Sequence, residues 1–179
     1  MGRRAQKPVL LGIALLGAVA LAACGAEAET EAPEGEPIEL GPLSYNVKIT
    51  RFLNPADPQD SAYLLGQPSA PTGQAYLGVF LTIDNEADEA ETVPRDFEVI
   101  DTRDTTFPAA QSESPFALQP GASIPPEGRV PEPDSPAASG PTRGAMLLFL
   151  VDEEVGENRP LSLEIPSSDG EPGSIELDI

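Results

Sequence analysis

The residue with the most distinctive chemistry in this sequence is Cys24, the only cysteine among 179 residues. A cysteine thiolate is the side chain here that alkylates most readily. Cys24 directly follows Leu21, Ala22 and Ala23, which are small or apolar. This placement favours a covalent modification of the sulfur. Because a modified cysteine leaves no thiol for a disulfide, we expect the fold to rest on its apolar core alone.

Catalysis is the chemistry that the composition argues against. The sequence contains no histidine and no tryptophan. Without histidine there is no Ser-His-Asp or Cys-His nucleophile and no histidine zinc site. A carboxylate pair could hydrolyse a glycoside, but among 30 acidic residues such a pair can be drawn almost anywhere. We expect no catalytic residue, no cofactor and no enzymatic activity, and a hydrolase is the disfavoured alternative.

An acidic turn supplies oxygen ligands for a hard cation. Asp84, Asp88 and Glu91 lie close together in the sequence, and calcium is bound by several carboxylate or carbonyl oxygens. They are the candidate metal ligands, and a calcium- or cation-binding envelope protein is the alternative function. The spacing is not that of an EF-hand loop, which has Gly at position 6 and Glu at position 12. A solvated turn is the simpler interpretation.

The segment before Cys24 is organised like an export signal. Arg3, Arg4 and Lys7 form a basic N-terminus, which stays on the cytoplasmic side during translocation. The apolar run over residues 9–20 is shorter than the roughly 20 residues that span a bilayer. We predict a cleaved signal peptide over residues 1–23. An uncleaved N-terminal anchor, and twin-arginine export through Arg3-Arg4, are the alternatives.

The tetrapeptide Leu21-Ala22-Ala23-Cys24 resembles the lipobox of bacterial lipoproteins. In that family a diacylglyceryl group is attached to the cysteine sulfur, and a peptidase cuts just before the cysteine. The resemblance implies that Cys24 becomes the lipid-modified first residue of the mature chain. Two acyl chains give lasting membrane attachment. We therefore expect a protein anchored by lipid to the extracytoplasmic face of the cell membrane.

The charge of the chain is strongly negative, with 30 acidic and ten basic residues and a net charge of −20. All the acidic residues follow Cys24, whereas three of the basic ones precede it. Nucleic acid and bare anionic lipid select for positive surfaces, so neither is an expected partner. Cationic partners and divalent ions remain compatible with the charge. A soluble surface that resists association is the simpler explanation.

Two regions follow the signal. Residues 24–42 are rich in Glu, Ala and Pro, a composition that predicts a disordered acidic linker holding the domain off the bilayer. Residues 43–179 contain apolar residues in alternation with polar ones, which is typical of half-buried strands. The first such strand is predicted to bury Leu43, Tyr45, Val47 and Ile49 on one face and to stop at residues 54–58, and others are predicted within residues 97–107, 161–165 and 175–179. Two continuous apolar runs, residues 75–83 and 145–151, predict central strands covered on both faces. No helical period is present, and about seven strands predict an all-β, antiparallel, immunoglobulin-like β-sandwich.

Residues 109–142 contain a density of proline that neither a helix nor a central strand tolerates. We predict a long, extended surface loop with partly polyproline character. Proline-rich segments lose little entropy on docking to a partner. The candidate partner-binding residues are therefore Pro125, Pro126, Pro131 and Pro133. A tolerated surface insertion is the alternative.

Several short motifs resemble the Gram-positive lipoprotein family of immunoglobulin-like domains of unknown function. They are a strand that ends in an Asn turn over residues 75–85, the segments Phe97-Glu98-Val99-Ile100-Asp101 and Leu118-Gln119-Pro120-Gly121, and a Gly-led strand over 144–151. The family has no agreed catalytic residues. The resemblance implies a membrane-anchored, non-catalytic binding module whose partner is an unknown envelope protein or component. The segment between Gly121 and Pro141 is longer than the connection expected for the family.

Overall fold

The computed structural model describes residues 1–2, 30–167 and 170–179. The described chain forms twelve strands, two short helices α1 (Pro58–Tyr63) and α2 (Pro136–Ser139), and a 3₁₀ helix (Glu153–Glu157). Seven strands are those expected from the sequence: β3 (Leu43–Leu53), β4 (Gln74–Asn85), β6 (Glu98–Ile100), β7 (Thr106–Ala110), β10 (Ala145–Asp152), β11 (Leu161–Ile165) and β12 (Gly173–Leu177). Five additional strands are very short: β1 (Glu31–Pro33), β2 (Ile38–Leu40), β5 (Glu91–Thr92), β8 (Ser123–Ile124) and β9 (Arg129–Val130).

The strands form the two layers of a β-sandwich, which confirms the predicted all-β fold class. One layer has the order β1-β12-β11-β6-β7 and the other the order β10-β4-β3-β2. Strand β7 joins them, because it pairs with β6 up to Pro108 and with β10 through Ala109 and Ala110. A strand that passes from one sheet to the next makes a corner of a sandwich. Among the described strand pairs, only β1–β12 is parallel.

The two central strands β4 and β10 are buried on both faces, as their continuous apolar sequences predict. One set of side chains points into the inner core between the layers: Leu77, Val79, Leu81, Ile83, Leu147, Phe149 and Val151. The other set belongs to an outer cluster on the opposite face, formed by Leu53, Tyr63, Tyr76, Phe80, Met146 and Leu148. Helix α1 and part of the proline-rich segment cover that second face.

The alternation expected along β3 breaks in the middle of the strand. Leu43, Tyr45 and Val47 are buried in the inner core as predicted. The register then shifts between Val47 and Ile49, and such a bulge moves every later residue to the other face. The expectation that Ile49 is buried is therefore wrong, since 39% of it is exposed. Thr50 is buried in its place.

The sandwich begins before the predicted boundary at residue 43. Residues 31–40, assigned from composition to the disordered linker, form β1 and β2. Ile38 and Leu40 are buried, and Gly173 of β12 packs so closely beneath them that a Cβ there would lie 2.7 and 2.6 Å from their methyl groups. Two apolar residues among glutamates and prolines give little local signal, because their burial comes from pairing with distant strands. Residues 24–29 lie outside the described residues.

The proline-rich segment is folded rather than extended over the surface. Residues 109–142 contribute the end of β7, the strands β8 and β9, and α2. Leu118, Ile124 and Ala137 are buried. Each of these strands is only two residues long, so prolines at their flanks remain compatible with pairing. The segment is therefore not extended throughout its length, since short paired stretches alternate with exposed, irregular ones.

The predicted signal peptide and the tetrapeptide Leu21-Ala22-Ala23-Cys24 lie outside the described residues. In the part of the chain that the structure describes, no helix has the length and apolar character needed to cross a membrane.

Candidate functional site

The acidic turn does not bring the candidate metal ligands together as a site. Asp84 is paired with the Arg129 guanidinium of β9, Asp88 is exposed, and Glu91 lies in β5, which pairs with β8. Among the described residues, no group of three or more acidic, cysteine or histidine side chains is arranged to hold a metal ion. The geometry therefore does not favour the cation-binding alternative.

Asn85 organises this turn. It is 3% exposed, and its side-chain amide donates to the carbonyl oxygens of Glu89, Ile124 and Pro125 at 2.8, 3.2 and 3.0 Å. Its side-chain oxygen accepts from the backbone N–H of Ala87 at 3.0 Å. An asparagine with all these bonds made ties the end of β4 to the proline-rich segment. Its role is structural, whereas the sequence predicts only a turn at Asn85.

The four candidate prolines do not share one surface. Pro125, Pro126 and Pro133 are exposed, but Pro131 is buried. The carbonyl of Pro125 already accepts from Asn85 and from the backbone N–H of Gly128. The strand β9 separates the first two prolines from the last two. A partner that reads a continuous polyproline ridge would therefore not find one here.

Tyr63, which is fully buried, lies at the centre of the outer cluster. Its ring centroid is 5.0 Å from that of Phe80 and 4.9 Å from that of Phe116, and both pairs are edge-to-face. Its hydroxyl accepts from the backbone N–H of Thr142 at 3.0 Å. Helix α1 thus positions Tyr63 so that one side chain connects β4 to both ends of the segment 116–142.

A partly buried ion pair attaches α1 to β3. Arg51 donates to the Asp60 carboxylate at 2.6 Å, and its guanidinium carbon lies 5.7 Å from the ring centroids of Tyr63 and Phe80. Asp60 also accepts from the backbone N–H of Asn54 at 2.8 Å. Burial alone would raise the pKa of Asp60, but the bonds from Arg51 and Asn54 outweigh it and lower that pKa. The Asp60 carboxylate therefore has a structural role.

Asp101 plays a similar role in the turn between β6 and β7. Its carboxylate accepts from the backbone N–H groups of Arg103 and Thr105, both at 2.8 Å. Asn158 approaches the other oxygen at 3.5 Å. Burial acts to raise the pKa of Asp101, and the two backbone bonds reverse the effect, so the pKa is lowered. The residue stabilises a turn and stays ionised.

One of the cavities open to a ligand, with a volume of about 360 Å³, lies at one end of the sandwich and is called here the Tyr45 pocket. Its lining includes Leu40, Leu43, Tyr45, Glu91, Val93, Arg95 and Asp96. Such a mixture of apolar walls and a few polar groups is typical of small-molecule sites. Tyr45 is 1% exposed, and burial, followed by the nearby Glu91 carboxylate, raises its pKa above the ordinary value. Alternation along the sequence predicts a core position for Tyr45, and no local signal marks the pocket.

No known protein-family model matches the chain. No curated protein matches it either.

Solved structures resemble the fold. The yjhA protein from Bacillus subtilis matches with a TM-score of 0.50 and 10% identity over 82% of this chain and 99% of that one. An uncharacterized β-sandwich protein from Clostridium difficile 630 gives 0.49 and 14% over 84% of this chain and 95% of its own. The ycdA protein from Bacillus subtilis subsp. subtilis str. 168, described as a candidate lipoprotein, gives 0.49 and 19% over 86% of this chain but only 39% of its own.

At these identities the likeness concerns the fold alone. The chain is a β-sandwich protein, and its resemblance to a lipoprotein family stays a prediction.

Proposed function

We propose that this chain is an exported lipoprotein. A lipid on Cys24 holds it on the extracytoplasmic face of the cell membrane, and its β-sandwich binds a component of the cell envelope without catalysing a reaction. The observation that carries the proposal is the tetrapeptide Leu21-Ala22-Ala23-Cys24 behind a basic N-terminus and a short apolar run.

The start of the fold sharpens what such an anchor would do. Strand β1 begins at Glu31, so only residues 25–30 separate Cys24 from the sandwich. A chain extends at most about 3.6 Å per residue, which limits this tether to roughly 25 Å. A lipid on Cys24 would therefore hold the domain close to the bilayer, in contrast to the long acidic linker expected from composition.

A binding role without catalysis is supported by the state of the buried acids. Asp60 and Asp101 are the buried carboxylates among the described residues. Both accept hydrogen bonds that lower their pKa, whereas a general acid needs a raised one. The Tyr45 pocket, in contrast, presents polar groups to an open cavity. Its chemistry suits the recognition of a ligand.

Metabolic labelling tests the anchor. Cells that produce the full chain are fed an alkyne fatty acid, and we expect label on the wild type and none on Cys24→Ala, because no other thiol exists in the chain. A matched control adds Ala28→Cys to Cys24→Ala, which restores a thiol outside the tetrapeptide. That double variant should also remain unlabelled. Equal label on wild type and Cys24→Ala would refute the anchor.

A further inference from the structure

We propose that the Tyr45 pocket binds a ligand through a primary ammonium group, which is held between the Tyr45 hydroxyl and the Glu91 carboxylate. The inference deepens the proposed function, since it names the ligand chemistry of the binding module. The membrane source considered below also rests on the proposed anchor.

The Tyr45 hydroxyl is the first reason. The ring is packed in the inner core, and within the described residues no hydrogen bond to the hydroxyl is formed, although the side chain lines the pocket. The buried side-chain atoms without a partner among the described residues are Asn46 Oδ1 and Thr50 Oγ1, so the Tyr45 hydroxyl reaches the open cavity and is available to a ligand there. Because its pKa is raised, the group stays protonated at neutral pH. It offers lone pairs to a donor such as an ammonium N–H.

The charge around the pocket is the second reason. Glu91 and Asp96 contribute two carboxylates to the lining and Arg95 one guanidinium. The Arg95 guanidinium also lies against Gly121, which is not among the lining residues, and one guanidinium can neutralise only one of the two carboxylates. A strongly acidic protein concentrates cations in its clefts. A ligand with an ammonium group therefore complements this pocket better than an anion does.

The position of the pocket is the third feature. Strand register places Ser174 beside the start of β1, and its N–H donates to the Thr30 carbonyl. Gly173, one residue earlier, pairs with Ile165, and the next residue, Pro166, lines the pocket. The pocket thus lies at the end of the sandwich where the chain arrives from Cys24. If the anchor forms, this end faces the bilayer, and the ammonium could come from a lipid headgroup or from a free amine.

Calorimetric titration of the full chain carrying Cys24→Ala, which cannot be acylated, tests the pocket apart from the anchor. The probe is n-hexylammonium, and n-hexanoate is the anion of matched length. We expect hexylammonium to bind and hexanoate to bind at least about tenfold more weakly. Equal binding of the two probes, or no binding of either, would overturn the proposal.

Point variants in the same chain locate the binding. Tyr45→Phe keeps the ring and Glu91→Gln keeps the size, and each should weaken hexylammonium about tenfold, as expected for one lost bond to a charged group. Glu154→Gln, an exposed position outside the pocket, removes the same charge and should leave the affinity unchanged. A loss in Glu154→Gln equal to that in Glu91→Gln would show diffuse attraction to an acidic surface, and would also overturn the proposal.

Vesicle flotation separates the two sources. Phosphatidylcholine vesicles are compared with and without phosphatidylethanolamine, because only the second headgroup has ammonium N–H donors. Flotation that requires phosphatidylethanolamine and Glu91 supports a lipid source. Hexylammonium binding without flotation supports a free amine. If fatty-acid labelling of Cys24 fails while hexylammonium still binds, the lipid anchor is refuted and the ammonium site in the Tyr45 pocket is supported.

Discussion

The two faces of the sheet formed by β10, β4 and β3 are both covered, but in different ways. The inner face packs against a second sheet, and the inner core is made of apolar residues and Tyr45. The outer face packs against α1 and residues 114–118, and includes an ion pair, a buried tyrosine hydroxyl and a backbone N–H. The inner face is specified by side-chain alternation, and the outer face by individual polar bonds that hold its cover in place.

This difference in how the two faces are covered predicts which part of the fold is more rigid. A face between two hydrogen-bonded sheets cannot collapse into a cavity without moving strands. A cover made of one short helix and irregular chain adjusts at lower cost, since loops carry fewer constraints. We expect the inner core to set the global stability and the outer cluster to loosen first.

The largest effect is expected from a matched pair of phenylalanines, one on each face. Phe149 belongs to the inner core and Phe80 to the outer cluster, and both are fully buried. Truncation of a buried Phe to Ala costs about 3–5 kcal/mol, depending on how far the site relaxes. We expect Phe149→Ala to reach the upper end of that range and Phe80→Ala the lower end. Urea denaturation followed by circular dichroism gives both values.

The ratio of these two losses decides the comparison. Equal losses would mean that the cover is as rigid as the opposing sheet. A larger loss for Phe80→Ala would mean that the cover of the outer face is more rigid than the opposing sheet. The denaturant dependence, which reports the surface exposed on unfolding, should be the same in both variants; otherwise the two free energies are not comparable.

The same division explains what could be predicted from the sequence. The runs 75–83 and 145–151 are apolar at nearly every position, so their burial on both faces follows from composition. What covers the outer face does not, because helix α1 is only six residues long and has no detectable period. Its signals are local: Asp57 caps the helix through a bond to the Gln59 N–H, and Pro58 follows. The same residues are equally typical of the end of a strand, which is what the sequence predicts over residues 54–58.

Other features depend on long-range pairing. Ile38 and Leu40 are buried because β2 pairs with β3 and packs over Gly173, which no window around residue 38 reveals. The bulge after Val47 likewise has no glycine or proline to mark it. The Tyr45 pocket is assembled from segments that are distant in sequence. Alternation placed Tyr45 correctly in the core, but it could not show that its hydroxyl reaches a cavity.

An intermediate effect is expected from two ion pairs that differ in exposure. Asp60 is buried and accepts from Arg51 and Asn54, whereas Asp84 pairs with Arg129 at the surface. Loss of hydrogen bonds to a buried charged group costs about 1.5–3 kcal/mol, and an exposed pair contributes at most about 1 kcal/mol. We expect Asp60→Asn to lower the free energy of unfolding by about 1.5–3 kcal/mol and Asp84→Asn by at most about 1 kcal/mol. Thermal denaturation of both variants measures the contrast.

If Asp60→Asn costs no more than Asp84→Asn, the Arg51–Asp60 pair does not hold the cover. The outer cluster would then depend on Tyr63 and its ring contacts instead. Hydrogen exchange of the α1 amides distinguishes the two cases, because a cover released by Asp60→Asn exchanges faster while the amides of β4 stay protected.

The smallest effect is the part of the pH dependence that Asp60 contributes on the outer face. The pKa of Asp60 is lower in the folded chain than its ordinary value of about 3.9. A lowered folded pKa means that the contribution of Asp60 is complete above the unfolded pKa and is lost as pH falls through the folded one. The stability difference between wild type and Asp60→Asn should therefore shrink below pH of about 4. The difference for Phe149→Ala should stay constant, because that change removes apolar contacts that do not titrate. Urea denaturation between neutral and acidic pH checks both. If the Asp60→Asn difference in unfolding free energy stays constant down to the lowest pH, the hydrogen bonds to the ionised Asp60 carboxylate do not stabilise the fold. The outer face would then be held by apolar contacts, as the inner face is.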